Sequence, residues 1–172
     1  MTDLIPAWVN GQLTEVDKLE VHRQGLRHPA ISVFVMDGDR TLLQRRALGK
    51  YHTPGLWANA CCTHPSLDEN PMYAAVRRLR EELGIADAKL TALPSIEYRA
   101  PVGAGLIEHE VVSLFLLHGR PALALNPAEV METRWVPFRT LEREIEEAPE
   151  SFTPWLKIYM RDHSDTILGH AA

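Results

Sequence analysis

The stretch from Asn59 to Ile85, N-A-C-C-T-H-P-S-L-D-E-N-P-M-Y-A-A-V-R-R-L-R-E-E-L-G-I, constrains this chain more than any other. Two thiols and an imidazole occupy a loop that runs straight into an amphipathic helix ending in charged residues. Asn70 is a good N-cap, Pro71 suits the first helical position and Gly84 follows the last turn, which predicts a helix over Pro71 to Leu83. Met72, Ala75, Val76, Leu79 and Leu83 recur at helical spacing and form the stripe expected to be buried. Arg78, Glu81 and Glu82 fall on another face near the C-terminal end. The helix dipole disfavours carboxylates there, so a nearby cation is expected to offset them.

Around this unit the pattern is mixed. Asn10-Gly11 between apolar residues predicts a hairpin near the start, and a short helix over Asp17 to Gly25 puts Lys18 and His22 on one face. Strands are predicted at Ala30 to Met36, Thr41 to Arg46, Leu90 to Ala100, Glu108 to Leu117 and Val130 to Val136, and helices at Phe138 to Ala148 and Pro154 to Leu168. Strands interleaved with helices give an α+β or α/β sandwich, expected as one domain over residues 1–172, with an N-terminal extension (1–17) and a C-terminal helix and tail (149–172). A net charge of -5 with no basic arm argues against a nucleic-acid surface. No apolar run approaches the roughly 18 residues that suggest a membrane span, and Met1-Thr2-Asp3 lacks a signal-peptide profile. A soluble cytoplasmic protein with a small anionic ligand is expected, as a monomer or weak homodimer.

Two clusters carry chemistry. His22, His28, His64, Glu108 and Glu110 offer imidazoles and carboxylates that suit a borderline divalent ion, five ligands leaving one octahedral position open. Glu108 and Glu110 alternate along a strand and so share a face, with His109 on the other. His52, His109, His118, His163 and His170 read as ordinary surface or core side chains. The only cysteines, Cys61 and Cys62, are adjacent, and a disulfide between neighbours is strained, so both read as reduced thiols. They point opposite ways, so at most one is expected to be functional, as a nucleophile, ligand or acid–base group.

Glu69, Arg77, Leu79, Glu81, Glu82, Gly84 and Ile85 match the box G-x5-E-x7-R-E-U-x-E-E-x-G-U and so resemble the Nudix family. Two positions depart: Thr63 stands for the opening glycine and Arg78 for the glutamate after Arg77. In hydrolysing members that glutamate helps to hold the Mg²⁺ that activates water, whereas a cation suits binding a diphosphate without cleaving it. The loop W-A-N-A-C-C-T-H-P, the segment E-Y-R-A, the strand E-H-E-V and the late F-T-P-W together resemble the type 1 isopentenyl diphosphate isomerases, from about Lys18 to Met160. That resemblance implies a Nudix-type α/β/α sandwich with a mixed sheet, and an activity interconverting isopentenyl and dimethylallyl diphosphate. Cys62 and Glu110 are the implied acid–base pair, Tyr98 assists proton delivery, and the Trp155 indole stabilises a cationic intermediate. Lys18, Arg46, Lys50 and Arg78 correspond to diphosphate contacts. His22, His28, His64, Glu108 and Glu110 correspond to ligands of Mn²⁺, Zn²⁺ or Mg²⁺, and Glu82 to the carboxylate of a diphosphate-bridging Mg²⁺. A Nudix hydrolase of a diphosphate is the alternative.

Overall fold

The structure, a computed structural model, describes residues 3–171; Met1, Thr2 and Ala172, at the ends of the expected extension and tail, lie outside it. Strands β1 (Leu4–Val9) and β2 (Gln12–Asp17) form the N-terminal hairpin. Asn10 and Gly11 turn it, both at positive φ, as a two-residue turn matched to strand twist requires. Helix α1 (Lys18–Gln24) follows, with the Asp17 carboxylate accepting from the Glu20 N–H and Gly25 closing the helix in the left-handed region.

The main sheet holds β3 (Arg27–Asp37), β4 (Arg40–Arg46), β5 (Trp57–Asn59), β6 (Cys61–Thr63), β7 (Leu90–Ala92), β8 (Ile96–Gly103), β9 (Leu106–His118) and β10 (Val130–Pro137). Its backbone order is β10-β4-β3-β9-β7, with β5 beside β4, β6 beside β3 and β8 beside β9. The β3–β9 pair is parallel and the others antiparallel, so the sheet is mixed as expected.

Helices cover both faces. On one, α2 (Pro71–Leu83) lays Ala74, Ala75, Leu79 and Leu83 against Ile31, Val33 and Val35 of β3. On the other, α3 (Phe138–Glu147), α4 (Pro154–Asp162) and α5 (Ser164–Ala171) bury Phe138, Leu141, Trp155, Leu156, Tyr159 and Ile167 against Phe34, Val112 and Leu114. The alternation of β3 and β9 explains this, since strand side chains on odd and even positions serve different layers.

Three expectations need correction. The strand predicted over Leu90 to Ala100 is two, β7 and β8, interrupted at Pro94, which has no N–H to continue the ladder. The closing helix is likewise two, broken at His163 (φ -133°), after which Ser164 and Asp165 begin a new first turn. On α2 the caps and bounds are as predicted, but Met72 and Val76 are only half-buried while Glu82 is buried. The reason for the last is Gln44 of β4, whose Nε2 donates to Glu82 Oε2 at 3.0 Å and pulls the carboxylate inward. Among the described residues no helix is long and apolar enough to cross a membrane.

Candidate active site

Strand β3 is the axis of the site. Its residue Ser32 pairs with Cys62 on β6 along one edge, and His28 pairs with Glu110 on β9 along the other. Cys62 and Glu110 therefore approach one cavity from opposite neighbours of the same strand. The cavity, of about 40 Å³, is lined by both, with Tyr98, Glu108, His64 and Trp155 among its walls. Lys18, Arg46, Lys50 and Arg78 line it too, and it adjoins a wider recess of about 240 Å³ that shares Lys18, Lys50, His64 and Arg78. Every residue predicted for the site thus converges here except Glu82, His22 and His28, which stand directly behind its walls: Glu82 is bonded to Arg78, and the two rings pack on His64.

The thiol is held by polar neighbours. Asn59, fully buried, spends its amide hydrogens on Ser32 Oγ (2.8 Å) and the Val33 carbonyl (2.9 Å). Its Oδ1 is left to accept from Cys62 Sγ at 3.0 Å, and Ser32 Oγ lies 3.2 Å from the same sulfur. Burial pushes the Cys62 thiol pKa up despite Ser32, so the side chain rests as S–H. Cys61 points the other way, into the α2 layer.

Glu108 and Glu110, both buried, face Tyr98, whose hydroxyl lies 2.8 Å from one carboxylate and 2.7 Å from the other. One hydroxyl carries one proton, so the second bond needs a protonated carboxyl. Burial and the neighbouring Glu110 charge push Glu108 well up, which makes it the protonated member of the pair. The arrangement is a short chain in which Glu108 O–H donates to Tyr98 and Tyr98 donates to Glu110.

The imidazoles are arranged for a cation. His22 Nδ1 meets the Lys18 carbonyl at 2.7 Å and His28 Nδ1 the Leu26 carbonyl at 2.7 Å, contacts that put the ring proton on Nδ1 and leave Nε2 as a lone pair. The ring centroids of His22, His28 and His64 lie 5.0–5.5 Å apart, and one donor atom from each falls within 4.8 Å of the others. His28 Nε2 is buried without a hydrogen-bond partner, 3.7 Å from Glu110 Oε1, and His64 Nε2 is 3.3 Å from the same oxygen. A bare, buried nitrogen facing a carboxylate is unfavourable until a cation stands between them, so these residues fit a divalent metal.

On α2 the expected cation is Arg78, which donates to Glu81 Oε2 (2.8 Å) and Glu82 Oε1 (2.7 Å) and lies 3.5 Å from Glu129. Lys50 pairs with the same Glu129. Burial alone would lower the Arg78 pKa; the Glu82 and Glu129 charges outweigh it and raise it. Arg77 holds Glu69 through two bonds of 2.9 Å. Arg46 stacks on the Trp155 indole, 5.1 Å from its centroid.

His52, read as an ordinary core or surface residue, is buried in the site with Nε2 3.2 Å from Glu108 Oε1 and its ring edge-on to Trp155. Asn59, Ser32 and Tyr51, which donates toward His22 Nε2 across 3.1 Å, were also without an assigned role. His109 behaves as expected, outside the site and bonded to Glu97.

Residues 26–156 match the NUDIX domain family. A solved protein from Deinococcus radiodurans shares the fold with a TM-score of 0.73 over 92% of this chain and 96% of that one, at 17% identity. A MutT protein from Methanosarcina mazei does so with a TM-score of 0.61 over 78% and 90%, at 15%. Fold and box thus define a Nudix-class protein. Among sequence relatives, an isopentenyl-diphosphate Delta-isomerase of Cereibacter sphaeroides is 58% identical over 98% of this chain and 97% of its own length. One from Dinoroseobacter shibae is 58% identical over 100% and 99%. The chain belongs to the isopentenyl-diphosphate Delta-isomerase family of the Nudix superfamily.

Proposed function

We infer that this chain interconverts isopentenyl and dimethylallyl diphosphate by a 1,3-allylic proton shift through a tertiary carbocation, a step of isoprenoid biosynthesis. The observation that carries the reading is the placing of Cys62 and Glu110 on opposite neighbours of β3, lining one buried cavity with Tyr98 and Trp155. The rearrangement adds a proton to one carbon of an allylic unit and removes one from another, so it needs an acid and a base on either side of that unit. It also needs water kept away from the cation, and a non-nucleophilic partner for the charge. Trp155, 2% exposed, provides that partner, worth about 2 kcal/mol when desolvated. The reaction is reversible, so Cys62 and Glu110 exchange the roles of acid and base with direction, and Tyr98 relays the proton beside Glu110.

His22, His28, His64, Glu108 and Glu110 would hold Mn²⁺, Zn²⁺ or Mg²⁺, and Glu82 a diphosphate-bridging Mg²⁺; when bound, such ions fix the carboxylates, acidify the Glu110 proton and neutralise the diphosphate. Lys18, Arg46, Lys50 and Arg78 surround the cavity mouth and anchor the diphosphate, which contributes position and not reactivity. Arg78 disfavours the hydrolase alternative. It puts a cation where hydrolysis of a diphosphate calls for a carboxylate, and it already neutralises Glu81 and Glu82.

Proton NMR of isopentenyl diphosphate in D₂O with the protein and Mg²⁺ tests this. Deuterated dimethylallyl diphosphate, absent with Cys62→Ala, is expected. Release of inorganic phosphate or pyrophosphate without rearrangement would move the assignment to the hydrolase.

A further inference from the structure

His52 reaches the site by an unusual route. It sits in the loop between β4 and β5, and the next residue, Thr53, adopts φ +47°. A β-branched side chain in the left-handed region is strained by about 1–3 kcal/mol and persists only where the surroundings hold it. Here Arg46 holds it, donating from Nη2 to the His52 carbonyl at 3.1 Å, while the Gly55 N–H returns to the Arg46 carbonyl at 3.0 Å. The strain fixes a buried ring beside Glu108.

Thr53 also controls that ring. Its Oγ1 lies 3.0 Å from His52 Nδ1, and a hydroxyl can either donate or accept. With a proton on Nδ1, the ring donates to Thr53 and presents the Nε2 lone pair toward Glu108 Oε1, 3.2 Å away. Two acceptors at that distance repel unless a cation joins them. The same distance matches adjacent ligands of one ion, because bonds of about 2.1 Å at right angles separate their donors by about 3.0 Å. His22, His52 and Glu108, all buried, each place a donor atom within 4.8 Å of the other two, and His22 is also a member of the His28 and His64 cluster. The two triads meet at His22, and opposite ligands at such bond lengths stand about 4.2 Å apart, so closing one shell around a single ion draws His52 and Glu108 toward the His28 and His64 rings.

We propose that His52 is the sixth ligand of the histidine–carboxylate centre, coordinating through Nε2 with Thr53 setting its tautomer. His22, His28, His64, Glu108 and Glu110 leave one octahedral position open, and His52 fills it. An ion so enclosed has no position for a water molecule. It orients and charges the carboxylates and generates no hydroxide, which is what separates this centre from a metal site built to hydrolyse. The inference rests on the metal-centre reading above.

The test is Co²⁺ loading of the full chain, followed by proton NMR in H₂O. Each ring bound through Nε2 keeps an exchangeable Nδ1–H that the paramagnetic ion shifts far from the protein envelope. Four such signals are expected for the wild type and three for His52→Asn, with Co²⁺ binding weakened by at least about 10-fold in the variant and by about 10-fold in Thr53→Val. Three signals in the wild type would overturn the assignment of His52 while leaving the centre intact. No Co²⁺ binding would overturn the centre itself. The wild-type count decides the matter even if His52→Asn fails to fold.

Discussion

Arg78→Glu restores the one box carboxylate this chain lacks, and the structure sets what that change should do. Arg78 is the cation for Glu82, whose side chain is 4% exposed, and it sits 3.5 Å from Glu129. Its bond to Glu81, 44% exposed, is screened by solvent and contributes little. Removing one partner of a buried pair costs about 3–5 kcal/mol, because the other charge is left without compensation. The Gln44 amide that remains on Glu82 is a neutral donor and cannot replace a guanidinium. For a chain of this size each kcal/mol moves the melting temperature by about 2–4 °C, so the metal-free variant should melt roughly 6–20 °C below the parent. Arg78→Met should lose a similar amount. The glutamate variant adds a carboxylate to Glu81, Glu82 and Glu129, and Mg²⁺ held there at about 100 times its Kd would return about 2.7 kcal/mol. Thermal melts followed by circular dichroism, with and without Mg²⁺, give the answer. If Arg78→Glu and Arg78→Met both melt within about 2 °C of the parent without Mg²⁺, Arg78 does not balance a buried carboxylate.

Other outcomes follow from single residues. Gly84→Ala places a Cβ 2.6 Å from the Ala124 Cβ and 2.7 Å from its carbonyl oxygen at φ +70°, so urea denaturation should show a loss beyond the ~1 kcal/mol of an ordinary left-handed alanine. Leu79→Ala, at a fully buried position, should cost about 2–5 kcal/mol in the same assay. Tyr98→Phe keeps the ring and removes the proton shared with Glu108 and Glu110; kcat should fall about 10²-fold or more with KM nearly unchanged, and a change in KM alone would contradict its relay role. Burial lowers His22, His64 and His52 to about 4, about 3 and about 2. A depressed imidazole stays neutral until the pH falls to its own low value, so these rings add no pH dependence near neutrality. Mn²⁺ must however displace the proton on the raised Glu108, so its affinity measured by EPR should rise with pH across the neutral range, and a flat profile there would contradict a protonated Glu108.

What could be read from the sequence was whatever the chain decides within a few residues. Helix α2 was legible to its caps, because Asn70 and Gly84 act on the turn beside them. The shared face of Glu108 and Glu110 was legible because strand alternation is local geometry. Glu82 was misread for the converse reason: helical spacing puts it beside Arg78 and Glu81, and its burial is imposed by Gln44, 38 residues away on another strand. The same limit hid His52. Nothing in K-Y-H-T-P-G marks the histidine, since its place depends on a strained Thr53, on Arg46 holding the loop, and on Glu108 arriving from a strand more than fifty residues later. The family resemblance supplied roles that local pattern does not reach. It covered Cys62, Glu110, Tyr98 and Trp155, and it passed over the Asn59 and Ser32 that orient the thiol. Local pattern and resemblance therefore reach the reacting groups first. The residues that hold those groups in place emerge only when distant strands meet, and in this fold they meet along the two edges of β3.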